Sequence, residues 1–120
     1  FQHPGPLVDG QLVTLERIFT LNAPGVAIRG GRMITGSDLH PSGERVLIRT
    51  YTGSFEYRLD APLRLESMNA QMPVTVAFGP ITEPQGEAIA YDETGHGIWT
   101  ISEDPDQQRV QALHFYGCAP

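Results

Sequence analysis

The sequence predicts an all-β fold. Its 13 glycines and 10 prolines exceed average usage, and they separate short runs of β-branched and aromatic residues, as turns separate strands. Several of these runs alternate apolar and polar side chains, which is typical of half-buried strands. With 40% hydrophobic content, residues 1–120 are expected to form a single all-β unit with a modest core.

The N-terminal part is expected to contain an arm and a strand. Residues 1–10 are interrupted by proline and glycine, which predicts an extended arm. Residues 11–21 (QLVTLERIFTL) have apolar spacing compatible with a helix, but their β-branched and aromatic content and their flanking turns favour a strand. Residues 26–28 are a further short strand candidate, which ends at Gly30 and Gly31.

Residues 26–60 are predicted to form a first structural unit. Residues 32–39 lead into a turn around Gly43, a residue type that accepts the positive φ of a tight hairpin. Residues 45–51 follow as a strand, and residues 54–59 (SFEYRL) alternate apolar and polar side chains as a half-buried strand does. Three consecutive antiparallel strands are the simplest arrangement.

The second half predicts a linker and then a second unit. Residues 61–84 are expected to form a linker that includes one strand over residues 73–78. Residues 85–103 (QGEAIAYDETGHGIWTISE) are predicted to form one β-hairpin, because a glycine-bearing turn divides two apolar runs. A last strand over residues 110–116 completes the second unit, which spans residues 85–118.

The two units resemble each other at a spacing of 52 residues. Aligning Gly43 with Gly95 places ITGSDLHPSGERVLIRTY above GEAIAYDETGHGIWTISE, so that turn glycines, polar flanks and apolar strands coincide. Each unit is followed by one more outer strand. A strand, turn, strand, loop, strand pattern with a period of about 40 to 50 residues is typical of β-propeller blades. The chain would supply two blade-like units and part of a third.

Two segments also resemble known propellers. SDLHPSGERVLIRTY resembles the strand, Ser-Pro-Asp-Gly, strand core of bacterial propeller blades, with Ser42 where Asp is usual. GEAIAYDETGHGIWTISE resembles the hairpin of secreted bacterial propellers of the phytase-like and six-bladed lactonase-like groups. The resemblance covers about half of the chain and is more specific for architecture than for activity. It implies a propeller-like fold and a secreted or periplasmic location.

Two blades and part of a third would not close a propeller, which needs at least about four. Open strand edges invite association. The chain could therefore belong to a larger propeller, assemble from copies into a ring, or form a small β-sandwich from the same hairpins. We favour completion by another protein chain or by further copies of this one. The only cysteine, Cys118, would then be available for an interchain disulfide; the alternative is a buried thiol.

Charge and composition exclude several functions. The formal net charge is −6, and all eight basic residues are arginines, so no lysine can act as a nucleophile or form a Schiff base. The arginines are scattered and do not form the basic stripe that nucleic acids require, so we expect no nucleic-acid partner. No apolar run is long enough to span a membrane.

Acidic residues gather at the open end of the second hairpin. If Tyr91 pairs with Ile98, Glu87 lies beside Ser102. Calcium prefers several carboxylate and carbonyl oxygens, which makes it the candidate cation here. In the propellers that the chain resembles, a glutamate matching Glu87 often lies at the central channel and can ligate the metal. Four residues make up the candidate metal site: Glu87, Glu103, Asp104 and Asp106.

The same residues also have structural interpretations. Acids at strand ends and in a proline-containing loop are usually solvated. Alternatively, an ion pair of Arg49 with Asp38, or of Arg49 with Glu87, could tie the two units together. Such a pair would use carboxylates that a metal needs.

Other kinds of active site lack their motifs. His40, His96 and His114 do not have the HExxH spacing or another ligand spacing, and we expect them to be structural or solvent-facing. No serine lies in a GxSxG motif. Trp99 is expected in the core, because it alternates with apolar neighbours on a strand.

The sequence therefore predicts a non-catalytic binding or scaffold module. It would form part of a larger exported β-propeller assembly, with calcium as a candidate stabilising cation. The alternative is part of a metal-dependent phosphoesterase or lactonase-type hydrolase whose site is completed by residues outside this chain. Whether the chain takes part in catalysis stays open at this stage.

Overall fold

The computed structural model describes residues 2, 4–25, 30–78, 83, 85–103 and 110–118, and it confirms an all-β chain. Its strands form two open antiparallel sheets in which consecutive strands are neighbours. The first sheet contains β1 (Ile34–Leu39), β2 (Arg45–Thr50), β3 (Gly53–Arg58) and β4 (Val74–Val76). The second sheet contains β5 (Gln85–Tyr91), β6 (Gly97–Glu103) and β7 (His114–Gly117).

The predicted strand over residues 11–21 is not formed. Residues 4–25 run as irregular chain, joined to Gln2 by an isolated bridge at Glu16. Phe19 and Leu21 pack against the first sheet, whereas the Leu12 side chain is 98% exposed. A β-prone sequence needs a partner edge to become a strand, because β-propensity mainly reflects packing against neighbouring strands. The strand candidate at residues 26–28 lies outside the described residues.

One face of the first sheet carries the larger core cluster. The predicted linker contributes a 3-10 helix, Leu65–Ala70, whose Met68 side chain is buried in this cluster. Phe19, Leu21 and Leu65 pack around its rim. The buried members of the cluster are Val46, Ile48, Phe55, Tyr57, Leu59 and Met68.

The opposite face of the first sheet packs against the second sheet. Leu47, which is fully buried, shares a cluster with Ile89, Tyr91 and Ile98. Gly36 permits this approach, because a Cβ there would lie only 3.0 Å from the carbonyl oxygen of Glu87 and 3.2 Å from the amide nitrogen of Ile89. The chain thus folds as one sheet laid on the next.

Side chains of β1 also satisfy backbone groups along the free edge of β5. Thr35 Oγ1 donates to the carbonyl oxygen of Gly86 at 2.7 Å, and the Tyr91 N–H donates to Asp38 Oδ2 at 2.8 Å. Unpaired edge groups would otherwise lose hydrogen bonds on burial. These two hydrogen bonds therefore connect the first sheet to the second.

The β1–β2 and β5–β6 hairpins have the same register. Ile34 pairs with Thr50 and, 52 positions later, Gly86 pairs with Ser102; each pair is followed by a bulge. Both turns contain a glycine with positive φ, 75° at Gly43 and 74° at Gly95. The two hairpins therefore share one backbone plan, including its irregularity.

Candidate functional site

The open end of the second hairpin brings two of the predicted acids together. Gln85 Nε2 donates to Glu87 Oε1 at 3.0 Å and to Glu103 Oε2 at 3.3 Å. The predicted pairing of Tyr91 with Ile98 is present, but Ser102 faces Gly86, because Glu87 is the extra residue of the β-bulge. A bulge redirects its side chain, and here it turns the carboxylate of Glu87 towards Gln85.

Two of the four predicted calcium ligands, Glu87 and Glu103, lie among the described residues. Among them, no three His, Cys, Asp or Glu side chains are arranged so that they could hold a metal ion. Asp104 and Asp106, which would enlarge the set, lie outside the described residues. A calcium site at Glu87 and Glu103 therefore remains a prediction.

The buried ion pair in the structure joins Arg49 to Glu83 rather than to Asp38 or Glu87. The side chains of Arg49 and Glu83 are only 8% and 5% exposed. Asp38 is engaged instead by the N–H groups of Tyr91 and Leu39. The prediction that an Arg49 ion pair ties the two units together thus has the right cation and the wrong carboxylate.

Hydrogen bonds extend this ion pair into both sheets. Arg49 Nη1 donates to Ser54 Oγ at 3.1 Å, and Glu83 accepts from the Thr100 hydroxyl on β6. A side chain at Gly86 would collide with the guanidinium, since a Cβ would lie 1.9 Å from Nη2. Glycine at this position is therefore a requirement of the ion pair.

A cleft of about 190 Å³ lies beside Arg49 and Glu83. The guanidinium carbon lies 5.7 Å from the centroid of the Phe78 ring, a cation–π distance. The Nε atom of Arg49 is buried and has no hydrogen-bond partner among the described residues. Among the described residues that line the cleft, the charged ones are Arg49 and Glu83, and they neutralise each other.

A second polar cluster joins the turn ends of the two sheets. His40 is 8% exposed; its Nδ1 lies 2.9 Å from Ser42 Oγ and its Nε2 lies 3.3 Å from the carbonyl oxygen of Gly95. Arg45 Nη2 also contacts Nε2. The imidazole meets the Tyr91 ring edge-on, with 4.8 Å between centroids. Of the two predicted settings, structural or solvent-facing, the burial of His40 excludes the second, and its contacts link the two hairpin turns.

Tyr91 connects this cluster to the carboxylate of Glu56. Its hydroxyl donates to Glu56 Oε1 at 2.6 Å, and Arg45 lies 3.4 Å from the same oxygen. Burial raises the pKa of Tyr91 far above its usual value, and the hydrogen bond to Glu56 raises it further. The phenol therefore stays protonated and acts as a hydrogen-bond donor between the sheets.

The second sheet turns an apolar face away from the first sheet. Trp99 was expected in the core, but it is 38% exposed on this face, because Ile98 takes the inward position on β6. The Trp99 and Phe115 rings pack with centroids 4.6 Å apart at 45°. Beside them lies a depression of about 110 Å³. We call this surface the outer face, and it consists of Ala88, Ala90, Trp99, Ile101, Leu113 and Phe115.

The remaining predicted residues lie apart from these clusters. Cys118 is exposed, so the buried-thiol alternative is wrong, while an interchain disulfide remains a prediction. His96 is exposed and His114 is partly buried on β7. Neither histidine joins the His40 cluster.

Comparison of the chain with family models, with curated proteins and with solved structures finds no match. Within the part of the chain that the structure describes, no helix has the length and apolar character needed to cross a membrane.

Proposed function

We propose that this chain is a non-catalytic binding or scaffold module within a larger exported assembly of stacked β-sheets. Its binding surface is the outer face. Export rests on the resemblance of the second hairpin to hairpins of secreted bacterial propellers.

The proposal rests on one observation. The face of the first sheet that the second sheet covers corresponds, position by position, to the outer face of the second sheet, which is exposed. On the first sheet, Gly36 and Leu47 lie on the face that the second sheet covers. The shared hairpin register places Ala88 and Trp99 at the corresponding positions, on the outer face. Apolar patches that stay exposed on a soluble chain commonly mark interaction sites.

The shared register also supports the proposal that the two sheets are copies of one repeat. Both hairpins have a bulge at the same place and the same glycine conformation in the turn. A β-propeller built from such blades is the larger architecture that we favour. Further copies or another chain would supply the missing blades.

One observation favours a second function. Glu87 and Glu103 both accept a hydrogen bond from the Gln85 amide. Two carboxylates that could bind a cation therefore lie close together at the open end of the hairpin. A calcium ion there could stabilise the assembly, or it could serve a phosphoesterase or lactonase-type hydrolase whose other ligands lie elsewhere. We rank this function second because it needs ligands beyond these two side chains.

A dye-binding experiment tests the proposed surface. The dye ANS reports exposed apolar surface; we expect dilute monomeric chain to bind it and the variant Trp99→Arg to bind much less. Leu12→Arg is the control, because Leu12 is also exposed but lies in the arm. The proposal fails if monomeric wild-type chain does not bind ANS, or if both variants reduce binding equally.

Activity measurements separate the two functions. We expect no hydrolysis of p-nitrophenyl phosphate or of a simple lactone, in calcium or in EDTA. A calcium-dependent activity that Glu87→Gln abolishes would instead favour the hydrolase.

A further inference from the structure

We propose that His40 makes the contact between the two sheets sensitive to acid, because the turn ends of the sheets fit together around a neutral imidazole. Protonation of the ring separates these turn ends, while the Arg49–Glu83 pair still joins the sheets elsewhere. This inference goes beyond the proposed function and does not depend on it.

Both ring nitrogens of His40 face groups that can only donate hydrogen bonds. The backbone N–H of Ser42 donates to Nδ1 at 3.1 Å, and Arg45 Nη2 contacts Nε2. A neutral imidazole has one acceptor nitrogen, whereas an imidazolium has none. The Ser42 hydroxyl and the Gly95 carbonyl oxygen could each accept from a protonated ring. The Ser42 N–H and the Arg45 guanidinium would nevertheless both face a donor.

A protonated His40 also places a second positive charge against Arg45. His40 is buried, so the repulsion between these two cations is weakly screened. Glu56 is the carboxylate of this cluster, and it already accepts hydrogen bonds from Arg45 and from the Tyr91 hydroxyl. Tyr91 itself stays protonated and uncharged. One carboxylate would therefore have to balance two buried cations.

The other titratable groups around the two turns do not contact the imidazole within the described part of the chain. Asp38 accepts backbone N–H groups of its own strand and of β5, and Asp92 accepts hydrogen bonds within its own turn. Glu44 and His96, one at each turn, are exposed. Cys118, which lies near Tyr91, is also exposed.

The fit between the turns leaves the imidazole little space in which to move. A Cβ at Gly95 would lie only 2.1 Å from Nε2 of His40, and the ring of Tyr91 meets the imidazole edge-on. A protonated ring can therefore reach water only when the two turn ends separate. Separation relieves both the lost acceptor and the repulsion from Arg45.

Urea unfolding at two pH values tests the proposal. Histidine in an unfolded chain takes up its proton at about pH 6.5, so the comparison is between about pH 7.5 and about pH 5.5. If the closed contact excludes the imidazolium, the unfolded state binds more protons in acid, and stability falls as the pH falls. Over this interval the unfolding equilibrium constant of the wild-type chain should rise severalfold more than that of His40→Gln, up to about tenfold.

His96→Gln is the matched control, because His96 lies in the other turn but is exposed. This variant should keep the acid response of the wild-type chain. Circular dichroism shows whether each variant is folded. If His40→Gln is not folded, Arg45→Gln takes its place, since removing the guanidinium should also weaken the acid response.

Amide hydrogen exchange, corrected for its intrinsic pH dependence, locates the opening. The Tyr91 N–H donates to Asp38 across the contact between the sheets, so acid should lower its protection severalfold in the wild-type chain and not in His40→Gln. The proposal is overturned if the wild-type chain and His40→Gln lose equal stability in acid, or if His96→Gln abolishes the response. Protection at Tyr91 that acid leaves unchanged, or lowers equally in both proteins, also overturns it.

Discussion

The buried charge of Arg49 explains the residue types found at several neighbouring positions. A guanidinium that is only 8% exposed must be paired, because an isolated buried charge is costly. Glu83 supplies the opposite charge, Ser54 accepts a hydrogen bond, and Gly86 leaves the space that the side chain occupies. Three positions in different parts of the chain thus serve one side chain.

Glu83→Gln should destabilise the fold strongly. The substitution keeps the shape but leaves Arg49 buried without its counter-charge, and breaking a buried pair in this way costs about 3 to 5 kcal/mol. Glu87→Gln is the control, because the Glu87 carboxylate accepts a hydrogen bond from Gln85 and forms no ion pair within the described part of the chain. Urea unfolding measures both variants, and equal losses of stability would contradict the pairing.

Tyr91 gives the fold a dependence on alkaline pH. Its folded-state pKa lies above the unfolded value of 10.0, so its contribution to stability is complete below pH 10.0 and is lost as the pH rises above it. Tyr91→Phe removes both the hydroxyl and the titration. At neutral pH the variant should be less stable by about 1.5 kcal/mol, the typical cost of a hydrogen bond to a charged group.

The measurement is urea unfolding of both proteins from neutral to strongly alkaline pH. Tyr57, whose pKa burial also raises, is present in both proteins, so their difference reports Tyr91. The two stabilities should converge above pH 10.0. A constant gap would show that the Tyr91 phenol is not held protonated by the fold.

At the scale of elements, the two hairpin turns share a backbone conformation but differ in their surroundings. Gly43 and Gly95 have φ of 75° and 74°. A Cβ at Gly43 would meet Pro62 at 3.6 Å, an ordinary contact, whereas a Cβ at Gly95 would lie 2.1 Å from Nε2 of His40. The two glycines therefore form a matched pair for substitution.

Gly43→Ala should cost about 1 to 2 kcal/mol, the usual price of a side chain in the left-handed region. Gly95→Ala should cost clearly more, because it also displaces His40 from the contact between the sheets. Thermal unfolding compares the two variants. In a His40→Ala background the two costs should become similar; if they are already equal with His40 present, His40 does not join the turns.

The hairpins could be predicted from sequence because their signals are local. A turn glycine flanked by alternating side chains placed β1, β2, β5 and β6 closely. The bulge at Glu87 could not be predicted, since it depends on how two strands pair. Residues 11–21 have the composition of a strand but do not form one. A segment becomes a strand only where the edge of another strand is available for pairing, and composition does not show this.

At the scale of the whole molecule, contacts between distant segments were the hardest to predict. Alternation along β6 separates Ile98 from Trp99 but does not say which of them faces another sheet. Arg49 and Glu83 are 34 positions apart, and no periodicity connects them. The proximity of Gln85 to Glu103 could be predicted from the hairpin register, because these two residues pair directly, whereas the hydrogen bond of Gln85 to Glu87 depends on the bulge.

In this molecule the second sheet packs on the first. Hydrogen bonds join the two sheets where they meet, and the apolar outer face of the second sheet is exposed. The first sheet is covered on both faces, by the second sheet and by Phe19, Leu21 and Met68. Among the described residues, those that pack on the second sheet cover only one of its faces. We infer that assembly completes the pattern, and that the chain's binding function resides in the uncovered face.

Acrylamide quenching of tryptophan fluorescence tests this central claim most directly. Trp99 is the only tryptophan in the chain and lies on the outer face, so its accessibility reports that surface alone. We predict efficient quenching in dilute solution and a severalfold lower quenching constant at concentrations where the chain assembles. If the chain assembles and Trp99 remains as accessible as in the monomer, the outer face is not the binding surface and the claim is wrong.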